Sequence, residues 1–181
     1  MNDRAVRLVD VPDPALSAAF ATLWTAVSRT GGAVGFLPDE PAELITSAAV
    51  EVIAGVAEGR EEMLVACDGD ALAGTVFLRR GEAPRKDHTA TVVRLMVDPA
   101  RQGAGWGRTL LDAAVGRGRE LGLEHLLLAA RGGTTLPAFY RRLGWTEVGV
   151  FPGVLRLDGD RRDEHWFQLM LRAGPDAPAR D

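Results

Sequence analysis

The chain lacks the features that would send it outside a reducing compartment. Its 181 residues hold one cysteine, Cys67, so no internal disulfide can form and a cytoplasmic setting is expected. No apolar run reaches the ~18 residues a membrane span needs. The start, "MNDRAVRLVDVPDP", has no cationic segment followed by an apolar one, so no signal peptide is predicted. Positive charge is also short: the formal net charge is −4, against the basic face a nucleic-acid binder requires. His125, His165 and Cys67 are too scattered for a metal-ligand pattern, and no metal is expected. There is one tyrosine, Tyr140, and no internal repeat.

What is present is ordinary for a globular protein: 46% hydrophobic and 25% charged residues. The length predicts a single domain over 1–173 with a buried core. The end, 174–181, has the composition of a disordered tail.

Along the chain, "RAVRLVDV" alternates as a strand does. From Pro14 to Arg29, Leu16, Phe20, Leu23, Trp24 and Val27 recur at helical spacing. "TGGAVGFLPDEP" is a loop, and a second helix is predicted over Pro41 to Ala57. "EEMLVACDGDALAGTVFLRR" reads as a hairpin turning at Asp68-Gly69-Asp70. "TATVVRLMVDP" is a strand closed by Pro99. A glycine-rich turn and a helix follow, with Leu110, Leu111, Ala114, Gly118 and Leu121 on one face. "EHLLLAA" reads as a strand covered on both faces. "TLPAFYRRLG" is a short helix stopping at Gly144. "WTEVGVF" and "EHWFQLML" are strands joined across a "DGD" loop. The order β-α-α-β-β-β-α-β-α-β-β implies an α/β layered domain. Its central sheet should be mixed and mostly antiparallel, flanked by helices, with a parallel crossover at the fourth and fifth strands.

The turn "RQGAGWGRTLL" places glycines at 103, 105 and 107 before a helix. A Walker loop needs four residues between its first glycine and a Gly-Lys-Ser/Thr end. Only three residues separate Gly103 from Gly107, and Arg108 stands in the lysine's place. A dinucleotide fingerprint needs G-x-G-x-x-G, and the spacing here is G-x-G-x-G. What remains is a helix start whose unpaired N–H groups suit a diphosphate, approached closely because glycines carry no Cβ. A plain packing turn explains the glycines equally well.

The phrase "LMVDPARQGAGWGRTLL" resembles the acetyl-CoA motif of the GNAT superfamily of N-acetyltransferases, Gln102, Gly105 and Gly107 filling its defined positions. "AFYRRLGWTEVG" is similar to the second family motif, through Tyr140, Gly144 and Trp145. "HTATVVRLMVDP" and "DGDRRDEHWFQLML" further resemble the tabtoxin-resistance type. The resemblance runs from about Arg4 to Arg172. It implies acetyl transfer from acetyl-CoA, as co-substrate and without a metal, to the amine of a small or amino-acid-like acceptor. It also implies backbone pairing of Leu95, Met96 and Val97 with the pantetheine arm. Gln102, Gly103, Ala104, Gly105, Trp106, Gly107, Arg108 and Thr109 would lie around the pyrophosphate, the Trp106 ring packing beneath the loop. Thr134 would replace a cofactor-contacting Asn. Homodimers are common in such a family.

The chemistry asks for a donor to the departing thiolate, and Tyr140 is the one phenol available as general acid. The base is not evident. Ala129 stands where the tabtoxin-type relatives carry an Asp, which weighs against their substrates. His88 is the candidate base, with Glu82, Asp39 and Glu40 as substitutes, although each reads more readily as a solvated loop residue. Trp24, Phe36 and Asp39 are candidates for the acceptor pocket. Against that, the aromatics fit the core and Asp39 could cap the second helix. Two other functions stay open: a catalytically silent acyl-CoA-binding module, and an acetyltransferase acting on protein N-termini or lysines.

Overall fold

The computed structural model describes residues 5–157 and 159–171. Arg4, Asp158 of the "DGD" loop, residues 172–173 and the expected tail 174–181 lie outside the described residues. The elements run β1 (Val6–Val9), α1 (Pro14–Arg29), α2 (Ala42–Ala57), β2 (Glu61–Asp68), β3 (Ala71–Arg80), β4 (Thr89–Val97), α3 (Trp106–Glu120), β5 (His125–Arg131), α4 (Leu136–Arg142), β6 (Thr146–Leu157) and β7 (Asp160–Met170). This is the predicted order. Short 3-10 turns at Pro84–Lys86 and Pro99–Arg101 precede β4 and follow it.

The chain divides into two compact units, Met1–Arg79 with Val93–Ala114 and Arg80–Val92 with Val115–Asp181. In the first, β1 lies antiparallel on β2 and β2 on β3. Gly69, at φ 60, makes the β2–β3 turn. α1 begins where the sequence places it. Asp13 accepts from the Leu16 amide at 2.7 Å and Pro14 occupies the first turn. Its inner face buries Phe20, Leu23, Trp24 and Val27, packed with Ile45 of α2, Met63 and Val65 of β2, Phe77 of β3 and Met96 of β4. Phe20 sits 5.4 Å from Trp24 and 5.2 Å from Phe77, tilted contacts that add to the area they remove from water.

In the second unit, β5 lies between two partners. It runs parallel to β4 over Thr89–His125, Ala90–Leu126 and Thr91–Leu127, and antiparallel to β7 along its whole length. β6 pairs with β7. One expectation is corrected here. β5 is not covered on both faces: Leu126, Leu128 and Ala130 are buried, whereas Ala129 is exposed. A second correction concerns length. β6 and β7 extend well past "WTEVGVF" and "EHWFQLML", to Leu157 and back from Asp160. Pro152 and Gly153, the latter at φ 62, sit in a register shift between Phe151 and Leu155. β6 carries them because, among the described residues, no strand pairs with its outer side.

Candidate functional site

The β4-to-α3 connection is built from several short-range bonds. Asp98 donates its amide to Ala73 O at 2.9 Å and accepts from the Ala100 amide at 2.9 Å. Arg101 bridges to Asp68 at 3.1 Å and also meets Asp98. The Gln102 side chain reaches back, its Nε2 donating to Val97 O at 3.2 Å. Gly103 and Gly105 adopt φ of 78 and 91, the left-handed region that side chains disfavour. The Thr109 amide donates to Gly105 O at 3.1 Å. The amides of Gly107 and Arg108 come before that bond, at the positive end of the helix. Residues 102–105 are exposed, whereas Trp106 is buried. Arg108 is exposed and paired with Asp112 at 3.5 Å, a surface contact worth about 0.3–0.5 kcal/mol.

Upstream, Arg94 of β4 has φ 50, the one described non-glycine residue with positive φ. Its left-handed turn costs roughly 1–2 kcal/mol. Surrounding contacts hold it: a 2.6 Å bridge to Glu61, the Trp24 and Phe77 rings 5.5 and 5.4 Å away, and Thr75 donating to its carbonyl at 3.3 Å. Burial lowers its pKa and Glu61 opposes the shift. Beyond it come Leu95, Met96 and Val97. The Met96 side chain is in the core, so only its backbone can serve a ligand.

Trp24 is also core. Its indole donates to Val34 O at 2.9 Å and its ring stands edge-on to Phe36 at 5.4 Å, which ties the 31–38 loop to α1. Asp39 is exposed and does not cap α2, whose N-cap is Pro41 without a side-chain bond.

In the second unit, Tyr140 is 6% exposed. Its ring contacts Phe139, Trp145 and Phe167, with centroids 5.2–6.2 Å away. Burial pushes its phenol up to about 12, so it stays protonated at neutral pH. The sequence "YRRLGW" proves to be a helix stop. Gly144 at φ 84 lets its amide reach Arg141 O and the Trp145 amide reach Tyr140 O, both at 3.1 Å, which is a Schellman motif. The stop delivers Trp145 against the Tyr140 ring. Thr134 donates its hydroxyl proton to Arg131 O at 2.8 Å and accepts from the Leu136 amide at 3.2 Å. Its proton therefore shapes the turn into α4.

His88 stands at the start of β4 beside His125, whereas α4 follows the far end of β5. Glu82 is exposed and Glu40 accepts from the Leu37 amide at 2.5 Å. Sequence reading missed a further cluster. His165 Nδ1 meets Glu147 Oε1 at 2.5 Å, and Arg141 Nε donates to Glu147 Oε2 at 2.9 Å. The His165 Nε2 lies 3.0 Å from where a Cβ on Gly132 would sit. No spacing signals this cluster, since its members are six to twenty-four residues apart. First His165 and then Arg141 hold the Glu147 carboxyl below its ordinary pKa. A depressed carboxylate contributes stability above the unfolded value and loses it as pH falls through the folded one. Thermal denaturation from ~pH 6 to ~pH 3 should show wild type losing more stability than Glu147→Gln.

The strand, glycine turn and helix just described fall inside residues 59–147, which match the acetyltransferase (GNAT) domain family. Residues 59–147 are a GNAT acetyltransferase domain. The fold agrees along nearly all of the chain. The Salmonella typhimurium protein yncA, solved with its cofactor acetyl-CoA, is similar at 20% identity and TM-score 0.75, covering 97% of this chain and 99% of that one. A ribosomal-protein-alanine N-acetyltransferase from Brucella melitensis gives 19% and 0.75, covering 92% and 99%. A protein provisionally assigned as a phosphinothricin N-acetyltransferase gives 22% and 0.78 over the same shares. The GNAT domain thus carries both sequence motifs, and its chemistry is acyl transfer. Among the described residues, no helix is long and apolar enough to cross a membrane.

Proposed function

We propose that the protein transfers the acetyl group of acetyl-CoA to the amine of a small or amino-acid-like acceptor. One observation carries this reading. Two glycines at φ 78 and 91 present a side-chain-free turn at the start of α3 inside a GNAT domain, where N–H groups and the helix dipole suit a diphosphate. The backbone of Leu95–Val97 receives the pantetheine arm as an added strand would. Residues 102–109 hold the pyrophosphate, with Gly107 and Arg108 supplying amides.

A neutral amine attacks the thioester carbonyl, the C–N bond forms as the C–S bond breaks, and the proton shed by the amine nitrogen passes to solvent, from which the departing thiolate is protonated. Tyr140 donates a hydrogen bond to that sulfur. A thiol's ordinary pKa is near ~8.5, well below that of the buried phenol. Donation of a hydrogen bond is therefore favoured over full proton transfer. Exposed Ala129 leaves no carboxylate at its position on β5, so the acceptor differs from one that needs an acid there. Phe36 and Asp39 lie on the loop assigned to the acceptor side, and Trp24 supports that loop.

A thiol-release assay across a panel of amines, amino acids and peptides tests the reading. Turnover on a small amine is expected. Turnover on peptides alone would favour a protein acceptor, and tight CoA binding without turnover would favour a silent module. Gly105→Val should weaken CoA binding by about 10–100-fold, from the cost of a left-handed β-branched residue and the lost backbone approach. Fluorescence or calorimetric titration reads this directly.

A further inference from the structure

We propose that His88, Glu124 and His125 form a divalent-metal site of zinc type where β4 and β5 begin. Their three candidate ligand atoms lie within 4.8 Å of one another. The backbone fixes their origins. The Glu124 amide donates to His88 O at 2.8 Å, Thr89 pairs in register with His125, and the Leu171 amide donates to Glu124 O at 2.8 Å. The two imidazoles stand edge to face, with centroids 5.8 Å apart. The Glu124 side chain is exposed and makes no ion pair with any described residue.

Each imidazole has a partner that can hold it for ligation. Gln168 Nε2 lies 2.8 Å from His125 Nδ1. Turning that amide over, which exchanges two atoms of nearly equal size, brings its oxygen to Nδ1, so that Nδ1–H donates and Nε2 keeps its lone pair for a metal. His88 Nδ1 lies 3.7 Å from Asp87 Oδ1, and a small ring rotation that makes this a hydrogen bond would hold the proton on Nδ1 and leave Nε2 for the metal. Tetrahedral zinc with bonds of ~2.0–2.1 Å needs ligand atoms about 3.4 Å apart. Closing that gap asks for side-chain rotation at Glu124, which is exposed, and His88, which is half-buried. Two imidazoles and one carboxylate select zinc over calcium or magnesium, which prefer oxygen. A fourth position remains for water.

The ion would reinforce a parallel ladder of only three pairs. It lies at the N-terminal end of β5, about 20 Å along the strand from the turn leading to Tyr140. Its role is therefore structural and takes no part in acyl transfer. A bound His88 Nε2 has no lone pair to accept the amine proton, so this assignment replaces the base role for His88.

Tag-free, chelator-stripped chain titrated with zinc chloride tests the site by calorimetry, and cobalt(II) substitution reports geometry by its visible spectrum. One ion per chain should bind. At zinc ~100-fold above the dissociation constant, the melting temperature should rise by about 5–10 °C. His125→Ala should lower affinity by at least about 100-fold, and Gln168→Ala by about 10-fold. Glu124→Gln, at an exposed position, guards against a folding failure. It should melt like metal-free wild type, show no zinc-dependent rise, and release thiol at the wild-type rate. Absence of saturable one-to-one binding, or binding that survives in both His125→Ala and Glu124→Gln, would overturn the proposal.

Discussion

Tyr140→Phe should lower kcat by about 10²–10³, the usual cost of one well-placed donor to a developing charge. The substitution is clean because the ring does the packing. Phe keeps the contacts to Phe139, Trp145 and Phe167, and no described side chain or backbone group is hydrogen-bonded to the hydroxyl. Melting temperature and CoA affinity should therefore stay near wild type while turnover falls. The pKa near 12 adds a second expectation. The phenol remains protonated across the accessible range, so any alkaline loss of activity below ~pH 11 belongs to another group. Steady-state thiol release with a saturating acceptor, beside a CoA titration, separates the two effects. Turnover within about threefold of wild type would remove Tyr140 from the leaving-group role.

The largest stability effect is expected at a glycine that no motif contains. A Cβ on Gly74 would lie 2.5 Å from Met96 O, 2.8 Å from Leu110 Cδ1 and 3.4 Å from Val97 Cα. The first of these is backbone and cannot rotate away. Gly74→Ala must push β3 from the end of β4 or displace Leu110, which is fully buried in α3. The expected cost is about 3 kcal/mol, or roughly 6–12 °C in melting temperature for a chain of this size. The effect should also reach function. Met96 and Val97 form the stretch assigned to the pantetheine arm, so surviving folded protein should bind CoA less well. Calorimetric unfolding and a CoA titration on the same preparation check both. A melting temperature within about 2 °C of wild type would show that the two strands separate more easily than the distances imply.

Much of the fold was legible because local signals agreed with the tertiary outcome. Asp13 and Pro14 mark the start of α1, and its apolar spacing names the face that is buried. Gly69 marks the β2–β3 turn and Gly144 the end of α4. The β6–β7 hairpin was harder to read. Pro152, Gly153 and the charged stretch 160–164 hide its alternation, and pairing across the hairpin sustains the strands. β5 misled in the opposite way. A run of apolar letters does not reveal that Ala129 points outward, because both faces of the strand carry the same residue types.

The glycine loop and Tyr140 were legible as motifs, although their physical reasons came only from backbone angles and the Schellman bonds. Arg94 carried no signal. Its φ of 50 rests on Glu61, Trp24 and Phe77, which lie 17 to 70 residues away. The His88–Glu124–His125 cluster was equally hidden, since a parallel register brings together residues 36 and 37 positions apart.

The central claim is that the amides after β4 hold a diphosphate. Paired calorimetric titrations of CoA and of pantetheine, which lacks the diphosphate and the nucleoside beyond it, with 3′-phosphoadenosine as a control for the nucleoside, test it most directly. The account predicts saturable one-to-one binding of CoA and binding of pantetheine weaker by at least about 100-fold. Equal affinities, or no heat with CoA, would contradict it.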